Sequence, residues 1–143
     1  MTIEKMKYLP FGVMLDTPEG IYKFVGAYIS PSGEYRIITE SEIHGEQHDF
    51  PAVLVKPYLR PMSTMTKVEM DELKAATCPD GTGYFDEKYL ICPMSHYGEH
   101  IGYSFMHNIL NWLDEHLFDY NMLIEKGDAL PAPAGMYKKT NRN

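Results

Sequence analysis

The chain has 143 residues, a length that suits one hydrophobic core, and a net charge of −7 from 13 Lys+Arg against 20 Asp+Glu. Hydrophobic residues at 44% and charged ones at 23% are ordinary globular usage and exclude wholesale disorder; no apolar run approaches the ~20 residues that span a bilayer. The acidic balance argues against general nucleic-acid affinity, which draws on clustered Lys and Arg.

Residues 11–15 form a short apolar run, closed at 16–20 by Asp-Thr-Pro-Glu-Gly, which carries turn chemistry at nearly every position. Residues 21–29, rich in β-branched and aromatic side chains, predict a second strand, 30–33 a turn and 34–39 a third strand. Connections this short favour antiparallel neighbours and hence a meander. Residues 40–49 are acidic and polar and are expected to be the most mobile loop. A fourth strand is predicted over 52–59, where Pro57 cannot donate to a ladder and belongs at an edge or a strand end.

Thr66 and Glu69 fit the capping box that opens a helix, with Met65 and Met70 placed for the accompanying staple. That helix is predicted to run to about residue 76, before Cys78-Pro79. Residues 84–91 read as a hairpin. Over 104–117, Phe105, Met106, Ile109, Leu110, Trp112, Leu113 and Leu117 fall on one arc at ~100° per residue, which predicts the main helix, its stripe expected on the sheet. Residues 120–126 predict a further turn or two, stopped by Gly127 as a C-cap. The fold class expected is α+β: an antiparallel meander of about four strands packed against one long and one or two short helices. Residues 1–130 form a single domain in this reading, and 131–143 an irregular tail with Lys138, Lys139, Arg142 and no acid. The remainder then holds 10 basic against 20 acidic residues, or −10.

His96-Tyr-Gly-Glu-His100 matches H-x-x-E-H, in which two histidines one helical turn apart hold a metal and the glutamate acts as general base. Gly98 and Gly102 lower helix propensity there. Cys92, His96 and His100 follow one another at four-residue intervals, and Cys78 would complete a zinc set. The close cysteine pairs of structural zinc sites are missing, so the plainer reading is surface histidines and buried thiols, with no cofactor. His44 and His48 form a second pair beside Glu46 and Asp49. His116 falls at the centre of the apolar arc, either as a satisfied histidine near the helix end or as a ligand contact. The chain has 11 Tyr and 10 Met, and Tyr22, Tyr28, Tyr35 and Tyr58 lie on predicted strands. Tyrosine and methionine suit recognition surfaces, since one supplies a large amphipathic area and the other adapts its shape.

Val55-Lys-Pro-Tyr-Leu-Arg-Pro-Met-Ser63, running into Met65-Thr66, resembles a segment of small uncharacterised phage and prophage proteins of Bacteroidetes. Trp112-Leu-Asp-Glu-His-Leu-Phe-Asp-Tyr120, continuing through Leu123-Ile-Glu-Lys-Gly127 to Pro133-Ala-Gly-Met-Tyr137, is similar to their C-terminal segment. That family's pattern often has His-His before Phe-Asp-Tyr and Arg-Gly after it, where this chain has His116-Leu117 and Asn121-Met122. The resemblance implies a phage origin and, with no signal-like apolar segment in residues 1–8, a cytoplasmic location. It implies no activity.

The function expected is therefore a non-enzymatic phage accessory module. It would bind a protein, a second copy of itself or a small ligand through Tyr22, Tyr28, Tyr35, Tyr58 and His116, with neither nucleic acid nor membrane as partner. The alternative is a metal-dependent hydrolase using His96, Glu99 and His100.

Overall fold

The computed structural model describes residues 9–10, 12–77, 84–86, 89–91 and 99–137, with backbone alone at 77, 84–86, 89–91 and 99–106. These residues fall into two compact units: those up to Pro61 together with those from Asp119 onward, and Met62–Phe118.

The first unit is a six-stranded mixed sheet. β1 (Met14–Thr17), β2 (Gly20–Ile29) and β3 (Tyr35–Glu40) form the expected antiparallel meander, which β4 (Gln47–Pro51) extends. Pro18 and Glu19 make the first turn, closed by the Thr17 hydroxyl donating to the Gly20 carbonyl at 2.7 Å. The second turn places Gly33 at φ +86°, a conformation that only glycine adopts without strain.

Two segments depart from expectation. Residues 47–49 are strand rather than loop, because pairing with β3 supplies hydrogen bonds that Gln-His-Asp would not secure alone. The predicted fourth strand divides into a 3₁₀ turn, Ala52–Leu54, and β5 (Lys56–Leu59). β5 lies inside the sheet, antiparallel to β1 and parallel to β8 (Leu130–Pro131). Pro57 opposes Leu15 at the start of β5, one residue before the β8 ladder begins at Tyr58, so neither neighbour needs the N–H it lacks.

Cross-strand register assigns the sheet faces. Leu15, Ile37, Thr39, Phe50, Pro57 and Leu59 share the core face and are buried. Met14, Asp16, Lys23, Tyr28, Arg36, Asp49 and Tyr58 take the other, outer face. Where the chain leaves and re-enters this unit, Asp119 N–H donates to the Arg60 carbonyl at 2.9 Å. The buried Asp119 carboxylate accepts from Leu123 N–H (2.8 Å) and Ile124 N–H (2.9 Å), organising the turns that follow. Those turns end in a Schellman motif, with Asp128 N–H on the Leu123 carbonyl and Gly127 N–H on that of Ile124. Gly127 adopts φ +81°, which is the cap its sequence position predicts.

In the second unit, α1 (Lys67–Thr77) opens on the predicted capping box. Thr66 N–H donates to Glu69 Oε1 (3.0 Å), and Glu69 N–H to Thr66 Oγ1 (3.1 Å). β6 (Tyr84–Asp86) and β7 (Tyr89–Ile91) form the predicted hairpin. α2 (Glu99–Glu115) begins five residues earlier than its apolar arc does, and packs against α1. Trp112 and Leu113 in its last turn are buried, while His107, Asn108, Asn111 and Glu115 face solvent. Its end is a second Schellman motif, with Phe118 N–H on the Leu113 carbonyl and Leu117 N–H on that of Asp114. Here the left-handed position is held by Leu117, at φ +63°.

Candidate functional site

The four strand tyrosines do not form one surface. Tyr22 and Tyr28 are six residues apart, a spacing that sets both on one face of a regular strand. A bulge at Val25, between Phe24 and Gly26, inserts one unpaired residue and reverses the parity beyond it. Tyr22 therefore faces the core side, its ring stacked on His48 (centroids 5.4 Å) and Phe50 (6.1 Å). Tyr35 lies opposite Ile29 on that same face, at its open end. Tyr28 and Tyr58 face outward. His48 belongs to β4, paired with Thr39, and stands 3.6 Å from Glu46, while His44 sits in the turn.

On the outer face, Tyr28 donates its hydroxyl to Asp49. Arg36 Nε donates to the same carboxylate at 3.0 Å and its guanidinium also pairs with Glu34. These bonds shift Asp49, Tyr28 and Arg36. The Arg36 bond, then the Tyr28 bond, holds the Asp49 carboxyl below its usual range, and Asp49 in turn raises Tyr28 and Arg36. Three strands are thereby clasped at their ends by groups that satisfy one another.

A groove of about 470 Å³ lies elsewhere in the same unit. Its walls are Met14 of β1, Ile21 of β2, Glu42 after β3, and residues 133–136 of the C-terminal segment. That segment is held in place by side-chain and backbone bonds of long sequence separation. Ala132 N–H donates to the Leu59 carbonyl at 2.8 Å. The Tyr137 hydroxyl donates to the Tyr58 carbonyl (2.6 Å) and accepts from Met14 N–H (2.8 Å). Continuing the pairing of Leu15 with Pro57 by one residue sets Met14 opposite Tyr58. The phenol thus stands where a direct ladder bond between β1 and β5 would otherwise form. Burial pushes the Tyr137 phenol well above its ordinary range, partly offset by the Met14 bond. Burial, followed by the Asp16 carboxylate, also raises Tyr58. The boundary drawn at 130/131 falls within β8, and residues 132–137 lie against the sheet.

Charge around the groove is uneven. Lys23 lies across from Glu40 and Lys56 across from Asp16, so each lysine has a carboxylate opposite it. Among the described residues Glu42 has no hydrogen-bond or ion-pair partner. A groove with thioether, aliphatic and polar walls, and a carboxylate that has no partner among the described residues, can receive an apolar group with a cation beside it.

His116 follows α2 and is half-buried, its ring stacked on Trp112 with centroids 3.8 Å apart. Its Nδ1 lies 2.8 Å from the Trp112 carbonyl, which can only accept, so that nitrogen carries the proton and caps the helix's last turn. Cys92 and His96 lie outside the described residues. Glu99 and His100 are the first two positions of α2, and their side chains lie outside the description. Among the described residues no three His, Cys, Asp or Glu side chains converge as a metal set.

The groove residues Met14, Ile21, Glu42 and Met136 carry no motif; the only local hint is the surplus of Met. Comparison with protein-family models, curated proteins and solved structures returns no match for this chain.

Proposed function

We propose that the chain is a non-enzymatic binding module, of the phage accessory kind that its segments 55–66 and 112–137 resemble. Its binding site is the outer-face groove of the sheet unit. The observation that carries this reading is the groove itself. Its far wall is a short segment anchored by the half-buried Tyr137 phenol, so the groove is framed by long-range bonds. Pre-formed concavities with a few placed polar groups are the usual form of small binding sites, and this one is lined about equally by polar and apolar surface. The resembling segments meet here as well: β5 pairs with β8, and Tyr137 bonds Tyr58, so what they share is the frame of the groove.

The test is n-pentanol titration followed by the ¹³C-methyl resonances of methionine. Saturable shifts at Met14 and Met136, with the exposed Met62 and Met122 unchanged, are expected. Uniform or absent shifts at all four would refute the site.

A further inference from the structure

Resting on that reading, we infer that the natural occupant of the groove is a basic protein segment that inserts one apolar side chain between Met14, Ile21 and Met136 and sets a Lys or Arg against Glu42. Shape and charge each carry part of this. The walls offer the half-exposed Met136 and an isoleucine that is 47% exposed, surfaces that gain by covering with another apolar group, over a floor that includes the buried Met14. The polar side chain among them is a carboxylate, which a neutral or anionic ligand would desolvate without compensation. A cation beside the apolar group meets that need.

The flanks extend the same preference. Glu42 lies in a turn between Glu40 and Glu46 that is compactly built, with Ser41 N–H on the Glu46 carbonyl (2.8 Å) and Gly45 N–H on that of Ser41 (2.9 Å). A segment leaving the groove on that side runs past carboxylates. Lys23 and Lys56 stand across their ladders from Glu40 and Asp16, so these four charges offset one another and the local preference rests on Glu42. Over the whole chain the excess of acidic residues acts in the same direction at longer range.

The experiment uses the full chain, ¹³C-methyl-methionine labelled, and three blocked peptides: Lys-Arg-Leu-Lys-Lys, the same with Ser for Leu, and Glu-Glu-Leu-Glu-Glu. The basic leucine peptide is expected to shift the Met14 and Met136 methyls saturably, and more weakly as salt is added. The serine peptide should bind about tenfold more weakly, since one buried Leu is lost. E42Q should weaken the leucine peptide about two- to fivefold, the scale of one exposed ion pair. The inference is overturned if the acidic peptide binds as well as the basic one, if E42Q changes nothing, or if no peptide moves these methyls. Shifts with n-pentanol but not with the basic peptide would leave the groove standing and remove the basic occupant. Silence with both would remove the two together.

Discussion

Replacing Tyr137 with Phe removes one oxygen and nothing else from the ring, yet that oxygen serves two backbone groups on different strands. Without it the Met14 N–H and the Tyr58 carbonyl lose their partner together, and the ring still stands between the strands, so they cannot close up to bond directly. Met14 is 8% exposed, which leaves little room for water to compensate. A buried polar group left unpaired costs about 1–3 kcal/mol, so Y137F should destabilise the sheet unit by about 2–4 kcal/mol. Denaturant unfolding measures this directly, read as a lower midpoint at unchanged slope. A loss below about 0.5 kcal/mol, the range of neutral surface changes, would show that the hydroxyl is not a structural bridge. The same phenol gives an alkaline signature. Its folded pKa lies above the unfolded value of about 10, so its contribution is complete below that pH. Above it the unfolded chain releases the proton first, and stability falls as pH rises toward the folded value. The difference between wild type and Y137F should therefore shrink above about pH 10.

Leu117 at φ +63° stores backbone strain of about 1–2 kcal/mol that glycine would not carry. L117A keeps the strain and loses the side chain, whereas L117G loses both. L117G should therefore be the more stable of the two by about 1 kcal/mol, the reverse of the usual Ala–Gly order within helices, and equal midpoints would refute the strain. At the outer-face clasp, Asp49 has a lowered pKa through Arg36 and then Tyr28. Its contribution is present above the unfolded value of about 4 and lost as pH falls through the depressed folded one, so the stability gap between wild type and D49N should close on acidification. A gap that stays constant from about pH 5 to about pH 2 would mean that the carboxylate's charge is not what holds the strands.

Elements with local causes are legible in the amino-acid order alone. Thr66 and Glu69 satisfy neighbouring N–H groups within four residues, and Gly127 takes a left-handed cap wherever its turn lies. The alternating and turn-bounded runs of the first forty residues produce the meander for the same reason. Legibility ends where the cause lies at a distance. Gln47-His48-Asp49 has weak strand propensity and becomes β4 through its ladder with β3 and the stack on Tyr22. The Val25 bulge exists only as a relation between β2 and β3, and it alone sends Tyr22 and Tyr28 to opposite faces.

The sequence by itself determined the class of this protein, its capped turns and helices, and the acidity that shapes what it can attract. Each of these follows from composition or from neighbours within one turn of chain. Only the tertiary structure decided which tyrosines face outward and that the C-terminal segment completes a groove. The bonds that make that groove join Tyr137 to residues 79 and 123 positions away, and no local pattern encodes a partner so distant.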